Sequence, residues 1–129
     1  YDKALKINPS SAICYINKAD CLAAMNKIDA ALKVYESAAI LKPDLREIYT
    51  KKAALLNKIH RYEDAVVNYD KAIELNPYIA VTYKNKGVAM HKCGKLAEAI
   101  KCFEQAIEID PEYEKAIANK EFSLKEMAG

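Results

Sequence analysis

Small, apolar and aromatic side chains recur along this chain at intervals of four and then three. Tyr83, Gly87 and Met90 form one such set, and Ala99, Phe103 and Ala106 form the next. This spacing places each set on one face of an α-helix, so residues 80–113 predict two helices with apolar faces. Gly94 lies between them and ends the first helix, because glycine enters the left-handed conformation without penalty. Pro111 ends the second helix, which it cannot continue, and drives Asp110 toward extended backbone.

The pattern then repeats. Pro9, Pro43, Pro77 and Pro111 stand 34 residues apart, and a fixed period of that kind signals a repeat architecture. With the prolines in register, the other columns agree. Ala31, Ala65 and Ala99 form one, and Ala4, Ala38, Ala72 and Ala106 another. Tyr1, Tyr35, Tyr69 and Phe103 form an aromatic column, and Tyr15, Tyr49 and Tyr83 a second. Ala19, Ala53 and Gly87 are all small, while Leu22, Leu56 and Met90 are apolar and of medium size. Asn26 and His60 hold the turn position of Gly94, and Asn tolerates left-handed backbone better than His. Asn8, Lys42 and Asn76 precede prolines as Asp110 does, and are likewise pushed toward extended backbone. Asp44 followed by Glu47 predicts a variant capping box. The small columns let helix axes approach closely, with Tyr and Phe filling the space beside them. One helix pair cannot bury both of its faces, so the pairs must stack.

These columns resemble the tetratricopeptide repeat, a 34-residue helix–turn–helix unit. The family's first helix carries an aromatic residue, a Gly or Ala four on, and an aromatic or large apolar residue three further; Tyr83, Gly87 and Met90 match. Its second helix carries Ala, an aromatic and Ala, matched by Ala99, Phe103 and Ala106, with Pro111 as the closing proline. Tyr stands throughout where the family often has Trp. The resemblance implies an all-α fold, a right-handed α-solenoid of stacked antiparallel helix pairs. Its register gives complete repeats at 12–45, 46–79 and 80–113. Residues 1–11 are the C-terminal part of a truncated repeat, entered at its aromatic Tyr1, so further repeats are expected upstream in the parent protein. Residues 114–129 form one more helix, with Ile117, Glu121 and Leu124 in the first-helix columns. Glu121 replaces a small residue there, which reads as a capping helix; a degenerate further repeat is the alternative.

Composition narrows the function classes. With 52% hydrophobic residues the chain is too apolar for disorder, and 3 Gly with 4 Pro supply too few turns for an all-β fold. Twenty Lys and Arg against 18 Asp and Glu give +2, without the basic excess of a nucleic-acid binder. No apolar run approaches the ~18 residues that span a membrane. Cys14 and Cys21 lie seven apart on one helix, a rise of ~10.5 Å that exceeds disulfide reach. Cys93 and Cys102 could approach across a hairpin, but nothing demands a bond, and all four cysteines are expected reduced, as small core residues. With no signal peptide in view, a cytoplasmic or nucleocytoplasmic protein is expected, binding neither membrane nor nucleic acid. His60 lies at a turn, where solvated polar residues are normal. His91 and Cys93 point in different directions on a helix, which argues against a metal site. No phosphate-binding loop, nucleophile elbow, zinc-protease or EF-hand pattern occurs. A protein without catalytic activity or cofactor is expected.

In the family, the first helix of each repeat lines a concave groove through its second, fifth, sixth, ninth, twelfth and thirteenth positions. The resemblance therefore places Asn17, Lys51, Lys84, Asn85, Val88, Lys92, Lys115, Asn119 and Phe122 in a peptide-binding groove. The first full repeat adds an apolar patch that includes Ile13 and Ile16. On this surface Lys51, Lys58, Lys84, Lys92, Lys115 and Lys125 outnumber Asp20, Glu47 and Glu126. That balance favours an acidic peptide or a chain-terminal carboxylate. Asn17, Asn85 and Asn119 share the sixth position, which Lys51 takes in the second full repeat. An amide both donates and accepts, and this row resembles the asparagine ladder in the superhelical arm of the nucleocytoplasmic glycosyltransferase that modifies Ser and Thr. The family's carboxylate clamp for chaperone tails meets Ile16, Asp20, Lys51, Val81 and Asn85 in one register, and fails. In the next it meets Thr50, Ala54, Asn85, Lys115 and Asn119, of which only Asn85 and Lys115 match. The expectation is therefore a protein-interaction scaffold that takes a peptide or partner segment without the standard clamp. The alternatives are a substrate-recruiting arm of a larger multidomain enzyme, and self-association through Ala4, Leu5 and Ile7.

Overall fold

The computed structural model describes residues 9–129, and Ala4, Leu5 and Ile7 lie outside them. Among the described residues seven α-helices follow one another and no strand occurs: α1 (Pro9–Ala24), α2 (Ile28–Leu41), α3 (Arg46–Lys58), α4 (Tyr62–Leu75), α5 (Ala80–Lys92), α6 (Leu96–Ile109) and α7 (Glu114–Ala128). Each helix packs on the next, and α7 also touches α5. The fold is an all-α helical-repeat solenoid. Its exposed area of 7815 Å² exceeds the ~6,800 Å² of a compact protein of this mass, as expected when each unit meets only its neighbours.

The turns within pairs follow from three backbone positions. Asn26, His60 and Gly94 have φ of 63°, 65° and 85°. Beyond each, the amides of Lys27, Arg61 and Lys95 donate to the carbonyls of Leu22, Leu56 and Met90 at 2.8, 2.9 and 2.9 Å. This is the six-to-one closure of a Schellman motif. The connections between pairs use the residue before each proline. Lys42, Asn76 and Asp110 are extended, with φ of −143°, −154° and −132°. The Asn76 and Asp110 side chains accept from the amides of Tyr78 and Glu112 at 3.1 and 3.2 Å, forming Asx turns. Lys42 cannot form one, and α2 meets α3 over a smaller patch than α4 meets α5.

Two local expectations are corrected. The Asp44–Glu47 capping box is absent: Leu45 is the N-cap of α3 and makes no side-chain cap bond. Asp44 falls one residue too early and pairs with Lys42 at 3.0 Å instead. Pro9, whose column closes a helix in the later repeats, is instead the first described residue of α1.

The core is built by the small and aromatic columns. Ala31, Ala65, Ala99, Ala38, Ala72 and Ala106 are fully buried, and the rings of Tyr35, Tyr69 and Phe103 are buried between them. Gly87 is packed so closely that a Cβ there would lie 2.5 Å from Phe103 Cε1. Burial against this core pushes the Tyr69 hydroxyl pKa up to about 12, although the Asn57 hydrogen bond works the other way. The cysteines depart from expectation. Cys102 is buried and Cys93 half-buried, but Cys14 and Cys21 are exposed, because Ala12, Ile16 and Ala19 carry the inner face of α1. Ile16 is therefore core and not part of a surface patch, whereas Ile13 is exposed.

A second periodic device ties one pair to the next. Lys52, Lys86 and Lys120 reach Glu36, Asp70 and Glu104 at 3.4, 2.7 and 3.3 Å. Each bridge joins α3, α5 or α7 to the preceding α2, α4 or α6, and both columns step by 34 residues. Lys86 is desolvated by burial, yet the hydrogen bond and charge of Asp70 hold its pKa above the usual lysine value.

Candidate binding groove

The odd-numbered helices bring the predicted groove residues toward one another in two separate places. Between α1 and α3, Lys51 Nζ donates to Asp20 Oδ2 at 2.7 Å and stands 3.6 Å from Glu47 Oε2. Tyr35 also donates its hydroxyl to Asp20. Burial alone would raise the Asp20 pKa, but the Lys51 and Tyr35 bonds hold it below the ordinary carboxylate value. The Asp20 bond raises Lys51 against the opposing effect of desolvation. Lys51 is thus paired with two carboxylates, a group that keeps a net negative charge, so Lys51 is not a free cation. Asn17 is exposed on α1.

Between α5 and α7 the arrangement differs. Among the described residues Lys84, Lys92, Lys115 and Lys125 on these helices take part in no ion pair, and neither does Lys58 at the end of α3. Lys84 is half-buried, and its pKa is lowered first by that burial and then by the positive charge of Lys115. Asn85 and Asn119 are half-buried on the same helices. Farther along lies a pocket of about 170 Å³ lined by Val88, His91, Lys92, Phe103, Asn119, Phe122 and Ser123. Four predicted site residues, Val88, Lys92, Asn119 and Phe122, meet there; Asn17, Lys51, Lys84, Asn85 and Lys115 do not.

Ser123 escapes the sequence reading, and His91, which the twelfth position puts among the groove columns, has a role that the reading does not foresee. Among the described residues no group of three or more His, Cys, Asp or Glu side chains is placed to hold a metal. His91 instead joins α5 to α7. Its Nδ1 shares a 2.8 Å hydrogen bond with the buried Ser123 hydroxyl, and its Nε2 lies 3.4 Å from Glu126 Oε1. Its ring stacks on Phe122, with centroids 5.2 Å apart and planes at 25°. The available signal is positional: His91 is twelfth in one repeat, and Phe122 ninth and Ser123 tenth in the next unit. Among the described residues no helix is long and apolar enough to cross a membrane.

Three family profiles, each described as Tetratricopeptide repeat, match residues 1–33, 47–78 and 80–113, together well over half of the chain. Among curated proteins none matches. Solved structures do match. The first TPR domain of Spaghetti (RPAP3), bound to the HSP90 peptide SRMEEVD, is 21% identical, with 96% of this chain and 98% of that one covered at a TM-score of 0.88. The second TPR domain of human RPAP3, in complex with the HSP70 peptide SGPTIEEVD, is 22% identical, with 90% and 98% covered at 0.83. The Arabidopsis OM64 TPR domain is 18% identical, with 92% and 98% covered at 0.84. At these identities the likeness is one of fold.

Proposed function

Because the chain belongs to the tetratricopeptide repeat family, we propose that it is a protein-interaction module holding an extended, acidic segment on the face shared by α1, α3, α5 and α7. The observation that carries this reading is the pair Lys84 and Lys115, two cations without a carboxylate partner among the described residues, one of them half-buried. An incoming carboxylate relieves their mutual repulsion. Lys92 extends the positive surface, Asn17, Asn85 and Asn119 offer amides to a peptide backbone, and Val88 and Phe122 offer apolar contact. Lys51, held by Asp20 and Glu47, adds no free charge. The repeat boundaries at 12–45, 46–79 and 80–113, with 114–129 as a cap, belong to the same proposal. No catalytic role is assigned to these residues.

The two RPAP3 domains are bound to peptides that end in EEVD, which supports an acidic ligand here too. The grip differs, since Thr50 and Ala54 stand where the family's clamp has Lys and Asn. Calorimetry with an acidic peptide ligand tests the reading. The Lys84→Glu/Lys115→Glu variant is expected to lose at least ~10-fold in affinity, about 1.4 kcal/mol, and wild-type affinity is expected to fall as salt rises. Full affinity in that variant rejects the proposal.

A further inference from the structure

We propose that the pocket between α5 and α7 receives one apolar side chain, of phenylalanine or leucine size, from a peptide whose acidic group sits on Lys84 and Lys115 two to three residues away. This rests on the groove reading above and specifies its ligand.

Size comes first. The pocket measures about 170 Å³, and an apolar cavity of ~150 Å³ accommodates a benzene ring. Its apolar walls are Val88, Phe103, Phe122 and the face of His91. Phe122 is 56% exposed despite this position, so an inserted side chain gains apolar area on both sides. The wall is also built in advance. The bond from His91 to Ser123 and its stack on Phe122 fix both rings, which lowers the ordering cost of binding.

Register sets the spacing. Lys84 precedes Val88 by four residues and His91 by seven, and Lys115 precedes Asn119 and Phe122 by the same intervals. On a helix those steps are ~6 and ~10.5 Å, while an extended peptide advances ~3.3 Å per residue. The ligand's acidic and apolar groups therefore fall two to three residues apart. Charge completes the argument. Among the described residues no carboxylate pairs with Lys84 or Lys115, so an incoming anion meets both without displacing an ion-pair partner.

Fluorescence anisotropy tests this with labelled, blocked heptapeptides. Each carries a phenylalanine three residues from an Asp-Glu pair, and both chain orders are made. The controls replace phenylalanine by alanine, replace the acids by their amides, or, in a decapeptide, widen the spacing to eight residues. In the tighter order, each control is expected to bind about tenfold more weakly. Phe122→Ala is expected to erase the preference for phenylalanine over alanine and keep the preference for acids; Lys84→Glu is expected to do the reverse. Val88→Ala serves as a second wall variant, and thermal melts verify folding of each. Equal affinity for the phenylalanine and alanine peptides, or no binding in either order, overturns the inference. If acid dependence then still vanishes in Lys84→Glu, the groove reading stands alone. If affinity is untouched in Lys84→Glu/Lys115→Glu, both fail.

Discussion

Gly87 and Gly94 answer two different physical demands. Gly94 has φ of 85° and open space where a Cβ would sit, so Gly94→Ala meets only the conformational penalty of ~1–2 kcal/mol. Gly87 lies inside α5, and a Cβ there would come within 2.5, 2.8 and 2.9 Å of three ring atoms of Phe103. Overpacking of that kind costs ~1–3 kcal/mol, offset in part by alanine's better helix propensity, ~1 kcal/mol. Urea denaturation is expected to show a lower midpoint for both variants. Only Gly87→Ala is expected to alter peptide binding as well, because Phe103 borders the pocket. The sequence reveals that position 87 must be small, since Ala19 and Ala53 share its column. It does not reveal that glycine is required, which depends on where the Phe103 ring settles. The His91–Phe122 stack is hidden for a similar reason, since it forms across two helices 31 residues apart.

Between helices, the electrostatic contacts sort by exposure. The Lys86–Asp70 bridge joins a lysine only 20% exposed to a carboxylate 50% exposed, whereas Lys42–Asp44 is 41% and 66% exposed. Asp70→Asn is therefore expected to lower stability by about 1 kcal/mol, and Asp44→Asn to leave the unfolding midpoint unchanged, in paired urea titrations. The columns Glu36, Asp70, Glu104 and Lys52, Lys86, Lys120 are visible in the sequence at the 34-residue period. Apolar periodicity alone overlooks them, because it says which faces are buried and not which charges meet at their rims. The capping box failed on a similar detail: Asp44 is of the right type, but the proline turn starts α3 two residues later, at Arg46. Asp20 supplies a pH test. Its pKa is depressed in the folded protein by Lys51 and Tyr35, so its contribution is present above the unfolded value of ~3.9 and is lost as pH falls through the lower folded value. The Lys51 pKa is raised, so its share is present below ~10.4 and is lost as pH climbs past that value. Asp20→Asn is expected to lower stability by up to about 1 kcal/mol near neutrality. The gap from wild type is expected to close below about pH 4.

Across the whole molecule, the prolines and the small and aromatic columns announce the solenoid, because they encode turns and helix contacts that must recur in every unit. The binding surface is less legible. The +2 net charge hides a division in which Lys51 is paired with two carboxylates near α1, while Lys84 and Lys115 have no ion-pair partner among the described residues farther along. Ile16, on a groove column, turns inward to the core. Column position selects the helix, but packing and pairing decide which side chains are left for a partner. Chemical-shift mapping of the labelled protein, titrated with a blocked heptapeptide carrying an Asp-Glu pair, addresses that surface most directly. The account predicts that the shifts gather at the amides of Lys84, Asn85, Lys115 and Asn119 and disappear in the Lys84→Glu/Lys115→Glu variant. Shifts gathered on the exposed faces of α2, α4 and α6, or shifts unchanged in that variant, contradict it.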